Sequence, residues 1–263
     1  MKWLNINRQD IQLLSNLFKM GLRDRFLGSS LGMVWAIASP VLMLSIFTFV
    51  FGFVFKSKLP GAETSLSYII WLISGYGPWL AISEGITSST MSVSSNSSIV
   101  KNLAFKTELL PMSGGLMGIV PLTVTLVFLT GLIVVDGQAP SWNWLFLLPA
   151  IVVQFALVIG IGFFLSALNV FIRDVQTALP NILLLILFFS PIFYALSAFP
   201  PVLQVVSQFN PFYILTEMYR QPLLYDRLPE IWSVLYLCFV TAVTFLVGLK
   251  VFRRVKPYFD SRL

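Results

Sequence analysis

The sequence predicts an all-α integral membrane protein with six transmembrane helices, and three observations carry that expectation. Of its 263 residues, 57% are hydrophobic and only 11% charged, whereas soluble domains carry roughly a quarter charged residues. Apolar runs long enough to cross a bilayer recur along the chain, since ~20 helical residues cover the ~30 Å hydrocarbon core. The segments joining those runs differ in charge: thirteen Lys and Arg fall on one side and four on the other, while the acidic residues divide five and five with Glu84 left inside a span. Basic flanks resist translocation, so the basic side is read as cytoplasmic, with both termini there. This distribution accounts for the net charge of +6 without a nucleic-acid surface.

Three parts follow: a cytoplasmic amphipathic interface helix over 1–30, a six-span domain over 31–252 and a basic cytoplasmic tail over 253–263. From Asn7 to Leu27, Ile11, Leu14, Phe18, Leu22 and Phe26 recur at spacings of three and four and share a face. Arg8, Gln12, Lys19 and Arg23 lie on a neighbouring polar face. Such a basic amphipathic helix lies in the membrane interface, either as a lipid anchor alone or also docking a partner. No secretory signal is expected, because this stretch lacks an early apolar core. Gly28 and Gly32 then admit two readings, a sharp turn or a close helix contact.

Span one is read over Leu31–Phe55 and span two over Tyr68–Met91. Span one ends with phenylalanine at every second position from Phe47 to Phe55. On a helix, 47/51/55 and 49/53 face nearly opposite ways, so one set packs or meets lipid while the other is free to line an interior path. Span two holds Gly77-Pro78, a kink signal, and Glu84, which serves either as a structural hydrogen-bonding group or in a water-filled pathway. After a Ser/Thr-rich stretch, Ile99, Leu103 and their neighbours predict a short amphipathic helix on the cytoplasmic side.

Span three is read over Pro111–Val135, with Gly114 and Gly118 suited to close helix contact, and span four over Trp144–Phe171. Trp142 and Trp144 occupy aromatic-belt positions. The inner link centres on Arg173-Asp174. Span five, Gln176–Ala198, is interrupted by Pro180 and by Ser190-Pro191; a proline at mid-membrane frees a carbonyl, which is tolerated only where buried or lining a cavity. From Phe199 to Glu230 five prolines cut an apolar, aromatic stretch into pieces of about ten residues, the length of re-entrant or interfacial helices. Span six is Ile231–Val251, and Cys238 within it reads as a packing residue.

Phosphate-loop, Cys/His zinc and close carboxylate-pair motifs are missing from the sequence, as is histidine. Glu84 alone is meagre for ion-driven transport. If the protein moves a cargo, the energy comes from another chain.

Several segments keep a characteristic order and spacing: Arg25–Pro40 at the entry to span one, Gly77-Pro78-Trp79, Ile99–Pro111, Phe171-Ile172-Arg173-Asp174-Val175, Ser190-Pro191-Ile192-Phe193-Tyr194, and Asn210-Pro211 followed by Arg220. Over nearly its whole length the chain thereby resembles the membrane subunit of ABC exporters for bacterial surface polysaccharides, the type-two permeases for O-antigen, capsule and teichoic acid. At Phe105-Lys106-Thr107 that family often has Phe-Pro-Arg, so contacts of that proline and arginine are not carried over.

The resemblance implies a permease subunit, not an enzyme, that forms a homodimer and binds two cytoplasmic ATPase subunits in the bacterial inner membrane. ATP and Mg would sit on those partners, with no cofactor on this chain. The cargo would be a lipid-linked polysaccharide, or, as the alternative, a non-glycan lipid or drug. The resemblance further implies a coupling helix with Ile99, Val100, Leu103 and Phe105 seated in the ATPase, joined by Arg23, Arg25, Arg173 and Asp174. Re-entrant gate helices between spans five and six would hold Asn210, Pro211, Phe212, Tyr213 and Arg220. Because sugar rings stack on aromatic faces, Phe47, Phe51 and Phe55, with Glu84, are the candidate channel lining.

The charge asymmetry generates a direct test of topology. A cysteine introduced at Gly61 or Gln138 is expected to react with an impermeant thiol reagent in intact cells, and one at Ser97 is not. Labelling at Ser97 would overturn the orientation.

Overall fold

The computed structural model describes residues 7–54, 65–102, 105–259 and 262. Among these residues there is no strand, and the chain forms eleven α-helices. Five helical segments are long and apolar enough to cross a membrane: Gly32–Val54, Leu66–Met91, Leu109–Val135, Trp142–Phe171 and Ile231–Tyr258. The protein is an all-helical integral membrane protein.

Helix α1, Arg8–Asp24, opens with the Asn7 backbone N–H donating to Asp10 Oδ2 at 2.8 Å. The expected stripe meets the protein in part, Leu14 packing on the same cluster as its neighbours Leu13 and Leu17. Leu17 is buried with Leu13 packed beside it, while Ile11 is 58% exposed. The apolar stripe is wide, and the helix spends its Leu13–Leu17–Gly21 edge on the protein, where Gly21 meets the Met117 side chain. Gly28 and Gly32 take φ of +84° and +50°, and a Cβ on either would touch nothing within 4 Å. They make a turn, closed by the Gly32 N–H donating to Ser29 Oγ, and not a helix contact. Only glycine adopts such angles without strain.

The first membrane-length segment contains α2, Trp35–Thr48, and continues as a π-helix over Phe49–Val54. Phe55 lies outside the described residues. Helix α3, Ser65–Met91, runs through Pro78 and is the central column of the fold. Its membrane-length window is 78% buried, against 11% for Gly32–Val54 and 22% for the last segment. Helix α4 is Ser97–Asn102. The third membrane-length segment is divided at Met117-Gly118 into α5, Leu109–Leu116, and α6, Ile119–Val135. Here the Gly-x-x-x-Gly pair does make the expected close contact. A Cβ on Gly114 would lie 2.6 Å from Ser89 Cα, and one on Gly118 would overlap the Ala81 carbonyl. Small residues let α3 approach to backbone distance.

Helix α7, Leu147–Phe171, packs on α3 and on α11, Ile231–Val255. Helix α8, Asp174–Phe189, is apolar but only sixteen residues long, about 24 Å. It stops at Ser190, short of the expected Ala198, because the backbone turns extended before Pro191. Two short helices follow, α9 over Pro201–Gln208 and α10 over Pro211–Leu224, each with proline in its first turn. Helix α11 carries Cys238, which is exposed beside buried Leu237 and does not pack in the core as the sequence reading expected.

The α3–α5–α6 contact yields a stability test with its own control. Gly114→Val is expected to lower stability by about 1–3 kcal/mol, since the clash is with backbone that cannot swing away. Gly131→Val, where a Cβ meets nothing within 4 Å, should leave the thermal midpoint in detergent unchanged. Equal midpoints for the two variants would refute the contact.

Candidate functional site

Four groups of predicted residues are placed by the fold, two at each end of the bundle. At the end opposite α1, Arg220 on α10 is fully buried, 1% exposed. Its guanidinium donates to the carbonyls of Pro191 at 3.1 Å and Ile192 at 2.8 Å, and pairs with Glu217 at 3.2 Å. Its Cζ lies over the Trp71 ring, 3.8 Å from the centroid, a cation placed on an aromatic face. Gly75 makes the space, since a Cβ there would lie 2.6 Å from a guanidinium nitrogen. Asn210 caps α10 by accepting from the Phe212 N–H, and its amide donates to Ser190 Oγ at 2.9 Å. Arg220 and Asn210 thus both hold the break after α8. Pro211 opens α10, Phe212 stacks edge-on against Trp79, and Tyr213 is half-buried.

Beside this break lies an aromatic cluster. Phe193, just past Pro191, stacks with Phe47 at 5.4 Å and with Phe51 at 6.4 Å, and meets Tyr76 at 5.5 Å. Tyr68 donates its hydroxyl to the Phe193 carbonyl at 2.8 Å. Phe47 and Phe51 are half-buried in this cluster, whereas Phe49 and Phe53 on the opposite face are exposed. The sequence's two phenylalanine faces are therefore distinct, one against protein and one outward.

At the end that carries α1, the segment from α4 to α5 is braced on two sides. Lys106 pairs with Asp10 of α1. That ammonium, with the Asn7 N–H, holds the Asp10 carboxyl below the usual carboxylate range. Glu108 receives Arg253 Nε at 3.0 Å and Lys256 Nζ at 2.9 Å. Burial pushes the Glu108 carboxyl up, but the two cations and a backbone N–H outweigh it and hold it low. Val100 and Phe105 pack against the cluster of Leu17, Val93, Leu109 and Leu110, so they are partly covered by the bundle itself. Ile99 is half-buried; Leu103 lies outside the described residues. Arg173 and Asp174 form the exposed turn into α8, with Asp174 in its first helical turn.

Arg23 and Arg25 do not join that surface in one way. Arg23 is exposed in the last turn of α1, while Arg25 turns inward to Glu84. Glu84 also accepts from Ser88 Oγ at 2.7 Å. The pair stands at the junction of two clefts, one of about 530 Å³ lined by α1 and the hydroxyl-rich end of α3. Glu84 is thus a hydrogen-bonded, ion-paired group at a cleft wall. It has both a structural partner and access to two clefts whose walls mix apolar side chains with hydroxyls.

Sequence reasoning missed Glu108 with its two cations, the Trp71–Arg220 stack, and a buried hydrogen bond from Tyr219 to Gln154 at 2.6 Å. Each joins residues far apart in the chain, and none has a local pattern. The one available signal was the presence of polar residues, Gln154 and Arg220, inside apolar segments.

Residues 12–224 match the family model described as ABC-2 type transporter. The chain belongs to that family. It is 28% identical over 253 residues to an O-antigen export system permease protein RfbA of Klebsiella pneumoniae, covering 95% of each chain. It is 23% identical to the protein of the same name from Myxococcus xanthus, again covering 95% of each. With the polysialic acid transport protein KpsM of Escherichia coli it shares 24% identity over 238 residues, 90% of this chain and 91% of the other. The matched region runs from α1 through α10 and includes Arg25, Glu84, the α4–α5 segment and Arg220.

Arg220→Met tests the buried latch. It removes the donor from two carbonyls and the cation from Glu217, and is expected to cost on the order of 3 kcal/mol. Thermal unfolding in detergent should fall, and limited proteolysis between residues 190 and 200 should rise. Unchanged stability and cleavage would show that the break is held by something else.

Proposed function

We propose that the protein is the membrane-spanning permease subunit of an ATP-driven exporter that moves a lipid-linked polysaccharide across the bacterial inner membrane. One observation carries this reading. The similarity to O-antigen export permeases extends over 95% of both chains, so the whole domain is shared and not one motif. The ABC-2 family supplies the energetic logic. A subunit whose sequence lacks a phosphate loop couples to a separate ATPase, which holds ATP and Mg.

On this reading α8 is a sixth, shortened span, completed by the residues around Ser190-Pro191. Helices α9 and α10 form the re-entrant gate on the outer side, with Asn210 and Arg220 holding its inner wall. Both termini are cytoplasmic. Two copies form a homodimer that binds two ATPase subunits, with α4 and Phe105 as the contact and Arg23, Arg173 and Asp174 at its margin. Phe47 and Phe51, which are only half-buried, are the lining on whose ring faces sugars can stack. Phe55 extends the same helical face in sequence.

The reading is tested by expressing the chain with its ATPase in cells lacking their own exporter. Glycan is expected on the cell surface with an active ATPase, and confined inside with a catalytically dead one. Its coupling part has a separate test. Removing large apolar side chains from an interface costs upwards of ~2 kcal/mol. Leu103→Ala with Phe105→Ala should therefore stay in the membrane, retain less ATPase on purification and stop export. Normal retention with normal export would sink the assignment.

A further inference from the structure

We propose that Glu108 is a positioning residue that carries displacement of the ATPase-contact segment into α11, through its ion pairs with Arg253 and Lys256. The proposal rests on the coupling role assigned to α4 and Phe105 above. It adds a route by which motion there reaches the last helix of the chain.

The geometry begins with where the charges sit. Glu108 immediately precedes α5, and Arg253 and Lys256 close α11. An anion at a helix N-terminus and cations at a helix C-terminus are each favoured by their own helix. Here the two ends face each other, and each carboxylate oxygen takes one cation. The partners are 145 and 148 residues away in sequence, so this joint ties one end of the chain to its middle. Two residues earlier, Lys106 pairs with Asp10 of α1. The run 105–108 is therefore a node from which α1, α5 and α11 can be moved together.

The joint is separable from the packing beneath it. The end of α11 is held to α7 by rings, with Phe252 at 5.7 Å from Phe163 and Phe259 at 5.3 Å from Phe252. Those contacts do not involve Glu108. Arg253 and Lys256 side chains are 39% and 33% exposed, so neutralising them opens no cavity. What their loss removes is the directional link between a carboxylate on one helix and cations on another. A buried carboxylate with its partners gone takes water or a proton instead, and then no longer pulls on α11.

The test uses the full complex of permease and ATPase. Arg253→Gln with Lys256→Gln, and separately Glu108→Gln, should leave membrane level, ATPase retention and ATP hydrolysis near wild type. Export per ATP hydrolysed is expected to drop about fivefold or more, the lower end of usual coupling between sites. Arg253→Lys with Lys256→Arg keeps both charges, and each cation makes a single contact, so it should stay within about twofold of wild type. Normal export per ATP in the double glutamine variant would overturn the proposal. So would equal loss in the Arg/Lys exchange, or loss of membrane level in step with export in all three variants. Failure of the underlying reading looks different: wild-type export would then be independent of an active ATPase.

Discussion

The bundle depends on how it meets two carbonyls. Pro191 stops α8 inside an apolar region, and the oxygens of Pro191 and Ile192 are left without helical donors. Hydrocarbon offers nothing to satisfy them. Arg220 supplies both bonds, and the cost of burying its charge is offset by Glu217 and by the face of Trp71. Around that guanidinium converge α3, the residues after α8, and α10. Asn210 adds a second tie to Ser190. The aromatic cluster on Phe193 is positioned by the same loop, so its location follows from the latch.

The other end solves a different problem with similar means. There the end of α3 and the turn after it are rich in serines and threonines whose hydroxyls find partners nearby in the chain, Thr90 donating to the Ile86 carbonyl, Ser92 to that of Ser89 and Ser88 to the Glu84 carboxylate. Ser89 reaches farther, to the Pro111 carbonyl on α5 where glycines allow backbone approach. A polar column can therefore pass through the bundle with few outward demands. Charges gather at its flanks, on α1, the 105–108 run and the end of α11. Electrostatic ties there join segments that hydrophobic burial alone would leave free to slide.

Much of this was legible in the sequence because lipid imposes length and composition so strongly. The five membrane-length segments lie within a few residues of where hydropathy and charge put them, and Gly114 and Gly118 announced a close contact. Gly28 and Gly32 show the limit. The same four-residue spacing produced a turn there, because φ, and not spacing, decides the role. The shortening of α8 was signalled by Ser190-Pro191 but not measured by it. On α1 the apolar stripe was legible but not which of its edges meets protein, because only the neighbour α5 selects Leu17. Glu108 and its cations were invisible for a plainer reason: ion pairs across 145 residues leave no periodicity to read.

The latch on α8 also orders events in time. The carbonyls of Pro191 and Ile192 wait for a donor that is 29 and 28 residues downstream. During synthesis α8 enters the membrane before α10 exists, and its end must meanwhile keep water or translocation-machinery contacts. Helix α8 therefore settles only when α10 arrives, and the nascent chain carries an unfinished edge through that interval. Biogenesis of this protein is thus inherently out of sequence, with an earlier helix completed by a later one.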